Sequence, residues 1–359
     1  MNVHGGYFGN NRKEILDFSV NLNPLGVPES VKNNIINNLG ALDTYPEIEA
    51  RTAREHLARE YGLKSSNIIM GNGAVELIYL LAKTVKPKKV LLVQPTFNEY
   101  ERAFKQSNTE CIHYFLKAND DFELNLEDLF YTILIHKPEV MVMCNPNNPT
   151  ASYIENDSIE KILEALKSYG GILMIDESFS AFENLPTAIS LLHHENLFLL
   201  RSMTKYYSIA GIRLGYGIGA ESITGQMQLQ KEPWTLNSIA CNIVEVLLQD
   251  KEYQLKTQKW YQEEKNYFVE NIKKIPFLYT FDSKANFFLC RCEIDSEEIK
   301  NRLLAKGIFI RTCNDFTSLE GKYIRIALRS RVENKLFFEA LLEIQEDLKE
   351  KKELRSLNY

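Results

Sequence analysis

Short apolar runs alternate with segments of helical periodicity from about residue 67 to residue 219, and this alternation restricts the fold more than any other feature. Helical spacing occurs at residues 75–85, 98–107 and 158–169. The predicted strands are residues 67–71, 89–94, 110–116, 139–145, 171–176, 197–202 and 214–219. Strands that alternate with helices predict an α/β fold, in which a mostly parallel sheet lies between two helical layers to give three αβα layers.

The pattern changes after about residue 226, where a smaller α+β domain is predicted. The predicted helices of this part are residues 236–249, 252–273 and 332–348, and the predicted strands are residues 277–281, 286–292, 308–311 and 322–328. We therefore expect three parts: an N-terminal arm and helix (1–38) that packs on the small domain, a large domain (39–225) and a small C-terminal domain (226–359).

Composition excludes several classes of function. The 359 residues carry a net charge of −6 without a basic stripe, so a nucleic-acid partner is not expected. No apolar run is long enough to span a membrane, and residues 1–12 lack the features of a secretory signal. We expect a cytoplasmic protein with reduced thiols. The six cysteines lack the spacing of metal ligands and no metal site is predicted, nor is a role assigned to His193 and His194.

Residues of functional interest follow several predicted strands. Gly73 and Ala74 open a helix directly after a strand, where free backbone N–H groups can bind phosphate, although glycine here is often only a turn. Asn148 lies in an Asn/Pro-rich segment after another strand and offers an amide to a ligand, with a rigid turn as the alternative. Phe97 could stack on an aromatic ligand or pack in the core. Because parallel strands end at one edge, these residues are predicted to converge there.

The segment Ser202-Met203-Thr204-Lys205, with Arg213 eight residues later, indicates a specific chemistry. A lysine amine can form a Schiff base with an aldehyde, and nearby hydroxyl and guanidinium groups can hold a phosphate. Asp176, at the end of an apolar strand, is either a helix cap or the partner of a protonated ring nitrogen. Pyridoxal 5'-phosphate requires all three functions.

Two arginines are candidates for substrate binding. Arg311 and Arg325 lie in otherwise apolar runs of the small domain, where an inward guanidinium requires an anion. In the N-terminal arm, His4, Gly5 and Asn23 could reach a substrate, or they could belong to turns.

In this order along the chain, the motifs resemble those of the fold-type I pyridoxal-phosphate enzymes of the aspartate aminotransferase superfamily, over about residues 17–330. The resemblance implies that Lys205 and Asp176 are the catalytic residues, as the Schiff-base lysine and the ring-nitrogen partner. It further implies that Asn148 bonds the 3'-oxygen of the cofactor. The other cofactor contacts implied are Phe97 on the ring and Gly73, Ala74, Ser202 and Arg213 around the phosphate.

The same resemblance implies a homodimer. Tyr45 matches a tyrosine that the superfamily donates to the cofactor phosphate of the neighbouring subunit. Substrate contacts are expected from His4, Gly5, Asn23, Tyr45, Asn148, Arg311 and Arg325.

Within the superfamily, the chain most resembles the branch that decarboxylates L-threonine O-3-phosphate in cobalamin biosynthesis. The motifs that carry this resemblance are His4-Gly5-Gly6 and the segments at residues 16–26, 201–207, 233–237, 310–313 and 323–330. The implied products are (R)-1-amino-2-propanol O-2-phosphate and CO2, with L-serine O-phosphate as a possible second substrate. The alternatives are a histidinol-phosphate aminotransferase and a non-catalytic, ligand-sensing member of the fold.

Two positions depart from the superfamily pattern. Phe179 stands where aminotransferases usually have a tyrosine that bonds the 3'-oxygen, and the decarboxylase branch is also phenylalanine-like there. Ala151 stands where glycine usually follows the Asn-Pro-Thr motif, so a positive φ at this position would strain the backbone.

Overall fold

A seven-stranded sheet forms the centre of the protein in the computed structural model, which describes residues 5–10 and 14–356. Its strands are β2 (Ile68–Asn72), β3 (Lys89–Gln94), β4 (Glu110–Phe115), β5 (Val140–Cys144), β6 (Ile172–Asp176), β7 (Leu197–Ser202) and β8 (Leu214–Gly219). They lie in the order β2-β8-β7-β6-β5-β3-β4, and all pairs are parallel except the two that β8 makes. The predicted α/β class is confirmed, and each predicted strand of this region lies within a residue or so of its observed bounds.

Helices cover both faces of this sheet. Along β3, Val90 and Leu92 pack into one buried cluster and Leu91 and Val93 into the other, as expected for side chains that alternate across a strand. The helices of this region are α1 (Glu29–Asn37), α2 (Arg51–Tyr61), α3 (Ala74–Val85), α4 (Asn98–Gln106), α5 (Leu126–His136), α6 (Asn156–Lys167) and α7 (Glu221–Gln230). The three-layer architecture is therefore confirmed.

A second, antiparallel sheet lies in the C-terminal part. Its strands are β9 (Leu278–Thr280), β10 (Phe287–Cys292), β12 (Arg311–Thr312) and β13 (Tyr323–Ala327), in the order β12-β13-β10-β9. The helices that follow α7 along the chain are α8 (Ser238–Gln249), which contacts α1 and α2, and α9 (Lys251–Ile272), α10 (Ser296–Leu304) and α11 (Arg331–Ser356). The three-part division at residues 38 and 225 stays a prediction.

The prediction of one strand at residues 308–311 is wrong, because the structure has two short strands there. β11 (Ile308–Phe309) pairs in parallel with β1 (Leu16–Asp17), whereas β12 pairs with β13. The N-terminal segment is thereby tied to the C-terminal part, and it is brought to the edge of the large sheet.

The carboxyl ends of the parallel strands form the edge that matters for function. β5 ends at Cys144, β6 at Asp176 and β7 at Ser202, and all three strands run in the same direction.

Across residues 5–10 and 14–356, no helix combines the length and the apolar character needed to cross a bilayer.

Candidate active site

A cavity of about 360 Å³ opens at the carboxyl edge of the large sheet. Its walls come from the N-terminal segment, from the strand ends of the large sheet with the helices and loops next to them, and from the small sheet with the loop that follows β12. Of the residues predicted from the sequence, the cavity wall contains Gly5, Ala74, Phe97, Asn148, Asp176, Ser202, Lys205, Arg213, Arg311 and Arg325. The structure therefore brings together groups that lie more than 300 positions apart in the chain.

Lys205 lies in the turn that follows β7, with its side chain half-buried at the cavity. Within the described residues its Nζ makes no hydrogen bond or ion pair, and it lies 5.4 Å from the centroid of the Phe179 ring. Burial lowers the pKa of the Lys205 ammonium below its usual range, and the nearby Asp176 carboxylate acts in the opposite direction. A lysine with a lowered pKa is neutral, and hence nucleophilic, over a wider range of pH.

Asp176 is buried at the end of β6, and two hydrogen bonds fix its carboxylate. Oδ2 accepts from the Tyr100 hydroxyl over 2.8 Å, and Oδ1 accepts from the Ser178 backbone N–H over 2.9 Å. Burial, followed by the charge of Asp176, raises the pKa of Tyr100 well above its usual value, so the phenol stays a donor. Tyr100 lies on α4 and was not among the residues predicted from the sequence.

The start of α3 lies beside Ser202 and Thr204 at the end of β7 and beside Arg213 before β8, and this group of residues is called the cradle below. Gly73 precedes the helix with φ +75°, and its N–H donates to the Arg213 carbonyl over 2.9 Å. Ser202 Oγ lies 2.7 Å from Thr204 Oγ1, and both residues face the same cavity. The backbone is packed tightly here, because a Cβ atom on Gly73 would lie 2.3 Å from Arg213 Nη2. A helix start, two hydroxyls and a guanidinium match the needs of a phosphate group.

Arg325 is a buried cation that has no carboxylate partner among residues 5–10 and 14–356. Its Nη1 donates to Asn148 Oδ1 over 2.5 Å and its Nη2 donates to the Ser19 carbonyl over 2.8 Å, while its buried Nε has no hydrogen-bond partner. Burial lowers the pKa of the Arg325 guanidinium to about 10. A buried charge is costly unless it is compensated, so an anion in the cavity would stabilise this arrangement.

Arg311 has a different environment. Its Nη2 donates to Asp315 Oδ2 over 2.6 Å, and the same carboxylate oxygen accepts from Asn98 Nδ2 over 2.9 Å. Of these two arginines, Arg311 is therefore paired with a carboxylate, whereas the part of the chain that the structure describes offers none to Arg325. Asp315 and Asn98 were missed by sequence reasoning, because their approach to Arg311 depends on tertiary packing.

The structure does not bring every predicted residue to the cavity. The Asn23 side chain donates to the Tyr206 carbonyl and to Thr257 Oγ1, and its backbone N–H donates to the Lys205 carbonyl over 3.1 Å. Asn23 therefore supports the loop that carries Lys205, and its side chain has no donor left for a ligand. Tyr45 is 84% exposed and packs beside Trp234, away from the cavity of its own chain. His4 lies outside the described residues.

These residues fit pyridoxal 5'-phosphate. An unpaired lysine amine suits its aldehyde, the buried Asp176 suits its ring nitrogen, and the cradle at the start of α3 suits its phosphate. Asn148 and Phe97 lie on the wall of the same cavity, and they offer an amide and an aromatic ring to a ligand there. The fold and the site together define a pyridoxal-phosphate-dependent enzyme.

Comparison with known proteins gives the family. The chain belongs to the aminotransferase class I and II family, whose model matches residues 13–341. The threonine-phosphate decarboxylase of Salmonella typhimurium is 34% identical over 349 residues, which are 94% of this chain and 95% of the relative.

Solved structures agree on the fold. The histidinol-phosphate aminotransferase of Clostridium acetobutylicum superposes with a TM-score of 0.88 at 30% identity, covering 93% of this chain and all of that one. The histidinol-phosphate aminotransferase of Sinorhizobium meliloti, solved in complex with pyridoxal 5'-phosphate, superposes with a TM-score of 0.83 at 22% identity, covering 92% of this chain and 90% of that one.

Proposed function

We propose that the protein decarboxylates L-threonine O-3-phosphate to (R)-1-amino-2-propanol O-2-phosphate and CO2, as a step of cobalamin biosynthesis. The observation that carries the proposal is the presence of two guanidinium groups, Arg325 and Arg311, on the cavity wall in addition to Arg213. The similarity to the Salmonella threonine-phosphate decarboxylase supports the same reaction.

The number of cations favours a substrate with two anionic groups. Arg213 belongs to the cradle for the cofactor phosphate, which leaves Arg325 and Arg311 for the substrate. L-Threonine O-3-phosphate has a carboxylate and a phosphate at its two ends, so each end could pair with one of these two guanidinium groups. Two arginines that hold both ends would fix the orientation of the substrate and thereby choose which bond at Cα is broken.

The chain's own residues supply the remaining functions. Bound pyridoxal 5'-phosphate supplies an electron sink for the pair of electrons left at Cα when CO2 departs. Asp176, held by Tyr100 and the Ser178 N–H, keeps a proton on the ring nitrogen. Lys205 would then donate a proton to Cα, because its side chain lines the cavity and its amine makes no hydrogen bond or ion pair with the described residues.

Phe179 places an apolar ring beside Lys205. Its ring is buried beside Lys205 and packs edge-on against Phe287, with ring centroids 5.0 Å apart. Because phenylalanine cannot donate a hydrogen bond, Asn148 would be the side chain left to bond the 3'-oxygen.

The proposal is tested by measuring CO2 release from L-threonine O-3-phosphate by the purified holoenzyme, with the Lys205→Ala variant as the inactive control. L-Serine O-phosphate is assayed in parallel, because one methyl group changes binding by only about 1–3 kcal/mol. Stoichiometric CO2 and 1-amino-2-propanol phosphate support the proposal, whereas a cofactor-loaded enzyme that releases no CO2 from either substrate refutes it.

A second candidate is histidinol-phosphate aminotransferase, favoured by the likeness to the Clostridium enzyme. Such an enzyme must also bind a dicarboxylic keto acid, for which two arginines would be suitable. Amine transfer from histidinol phosphate to 2-oxoglutarate, without CO2 release from the phosphoamino acids, would establish this activity in place of the first. A protein that carries no cofactor and turns over neither substrate would instead indicate a ligand-sensing role.

We also propose that the enzyme acts as a homodimer in the cytoplasm. Tyr45 is strongly exposed, and so are several apolar side chains from the same part of the chain: Ile36, Leu39, Leu42 and Ile48. An exposed apolar surface of this kind supports an interface with a second copy, across which Tyr45 would reach the partner's phosphate cradle. All six cysteines are free, in keeping with a reducing compartment.

A further inference from the structure

Two histidines and a glutamate converge on the side of the large sheet away from the cavity. Glu160 lies on α6, while His193 and His194 lie in the loop before β7. Nε2 of His194 is 3.5 Å from Oε1 of Glu160, and Nε2 of His193 is 3.8 Å from the same oxygen. One carboxylate oxygen therefore faces the same nitrogen of two neighbouring imidazoles.

These distances suit a metal ion. With metal–ligand bonds of about 2.1 Å, the ligand atoms of a tetrahedral site are about 3.4 Å apart. The two separations from Glu160 Oε1 are close to that value, and the three ligand atoms all lie within 4.8 Å of one another. Two imidazoles and a carboxylate are ligands that zinc commonly takes, with a water in the fourth position.

The Nδ1 atom of each ring lies close to a second oxygen atom. His193 Nδ1 lies 3.3 Å from the Ser190 carbonyl, so a proton on Nδ1 leaves Nε2 free to act as a ligand. His194 Nδ1 lies 3.2 Å from Glu164 Oε1, one helical turn after Glu160. Metal-bound histidines typically direct their second nitrogen at a carbonyl or a carboxylate in this manner.

The environment of His194 is a separate reason to expect a ligand. This side chain is nine-tenths buried, and its Nδ1 makes no hydrogen bond in the present geometry despite its proximity to Glu164. An unsatisfied buried ring nitrogen is costly, and a cation bound at Nε2, which lies 3.5 Å from Glu160 Oε1, would polarise the ring and strengthen the Nδ1–H contact with Glu164.

We propose that Glu160, His193 and His194 bind one divalent transition-metal ion of the zinc type. The site is structural, because it joins α6 to the loop that leads into β7 at the amino-terminal end of that strand. Five residue steps of β7 separate this end from Ser202 at the cavity, a distance of roughly 16 Å. Bound metal would therefore stabilise the large sheet without contacting the substrate.

The test is calorimetric titration of the holoenzyme with zinc chloride, repeated on the variants His193→Ala and Glu160→Gln. Both positions are exposed enough for the variants to fold. The adjacent Glu195, also exposed, supplies the matched control Glu195→Gln. We expect one high-affinity Zn²⁺ per chain in the wild type and the control, at least about tenfold weaker binding in both ligand variants, and a zinc-dependent rise in Tm that the ligand variants lack.

Zinc that binds to all four proteins with the same affinity would overturn the proposal, since the ion would then be held elsewhere, for example at the cofactor. Failure of the wild type to bind a stoichiometric ion would overturn it as well. Turnover in Glu160→Gln is expected to equal that of the wild type, so the outcome is independent of the proposed reaction.

Discussion

The side-chain oxygen of Asn148 accepts a hydrogen bond from Nη1 of Arg325, and the two groups form one polar unit between the large and the small sheet. Asn148 follows β5, whereas Arg325 lies in the middle of β13. The contact therefore links the part of the cavity wall that comes from the large sheet, where we propose that the cofactor binds, to the part from the small sheet, where we propose that the substrate binds. A substrate anion that pairs with Arg325 would also orient Asn148.

Replacement of Arg325 is expected to weaken substrate binding more than cofactor binding. A hydrogen bond to a charged group contributes about 1.5–3 kcal/mol, so Arg325→Ala should raise the KM for L-threonine O-3-phosphate by at least about tenfold. Arg325→Lys should not restore it, because an ammonium cannot contact Asn148, Ser19 and an anion with the geometry of a guanidinium. Steady-state kinetics and cofactor absorbance check this, and a KM change below about threefold would count against the role.

The lowered pKa of Lys205 predicts how the apoenzyme takes up its cofactor. Only the neutral amine attacks an aldehyde, so the rate of incorporation rises with pH and levels off near the pKa of this lysine. Because burial lowers that pKa, the plateau should be reached below about 10.4, the value for an exposed lysine. The Asp176 carboxylate raises the Lys205 pKa, so Asp176→Asn should move the inflection to lower pH.

Rapid-mixing absorbance between neutral and alkaline pH measures this profile, and borohydride reduction followed by peptide mapping identifies the labelled residue. A rate that follows the titration of free lysine would contradict the lowered pKa, and label at any other lysine would contradict the role of Lys205.

The parts of the site that could be predicted from the sequence are those carried by single strands and the turns after them. Buried strands end at Asp176 and Ser202, and Lys205 follows the second of these strands. The parallel order of β6 and β7 is enough to bring the three residues together. Asn23 shows the limit of this reasoning, because its Asn-Pro turn was visible but the direction of its side chain was not. Its amide is directed at Tyr206 and Thr257 by packing against α9.

Tyr100 and α2 show two further limits. Tyr100 lies on the buried face of α4, and helical periodicity does not distinguish a core tyrosine from one that holds Asp176. α2 was not predicted, since it is mostly polar and buries only Ala53, Leu57 and Ala58. Its position depends on contacts with α8, almost 200 residues away in the chain.

Substitution of Gly73 should lower the affinity for the cofactor. An alanine Cβ would lie 2.3 Å from Arg213 Nη2, and the residue would need φ +75°, so the cradle has to change shape. Gly73→Ala is expected to raise the Kd for pyridoxal 5'-phosphate by at least about tenfold, equivalent to about 1.4 kcal/mol. Gly211→Ala, in the loop before Arg213, is the matched control because its Cβ would enter open space. Equal cofactor affinity in the two variants would show that the cradle does not depend on Gly73.

The left-handed backbone of Ala151 predicts a stabilising substitution. Its φ of 59° confirms the positive value suspected at this position, and its backbone is fixed by hydrogen bonds to Asn147 and Lys284. An L-residue in this conformation costs about 1–2 kcal/mol, of which the greater chain entropy of glycine offsets about 0.5–1. Ala151→Gly should therefore raise the free energy of unfolding by about 0.5–1 kcal/mol. The helical control Ala53→Gly should lower it by about 1 kcal/mol. Urea denaturation measures both, and destabilisation of similar size in the two variants would mean that the Ala151 methyl contributes more through packing than the backbone loses through strain.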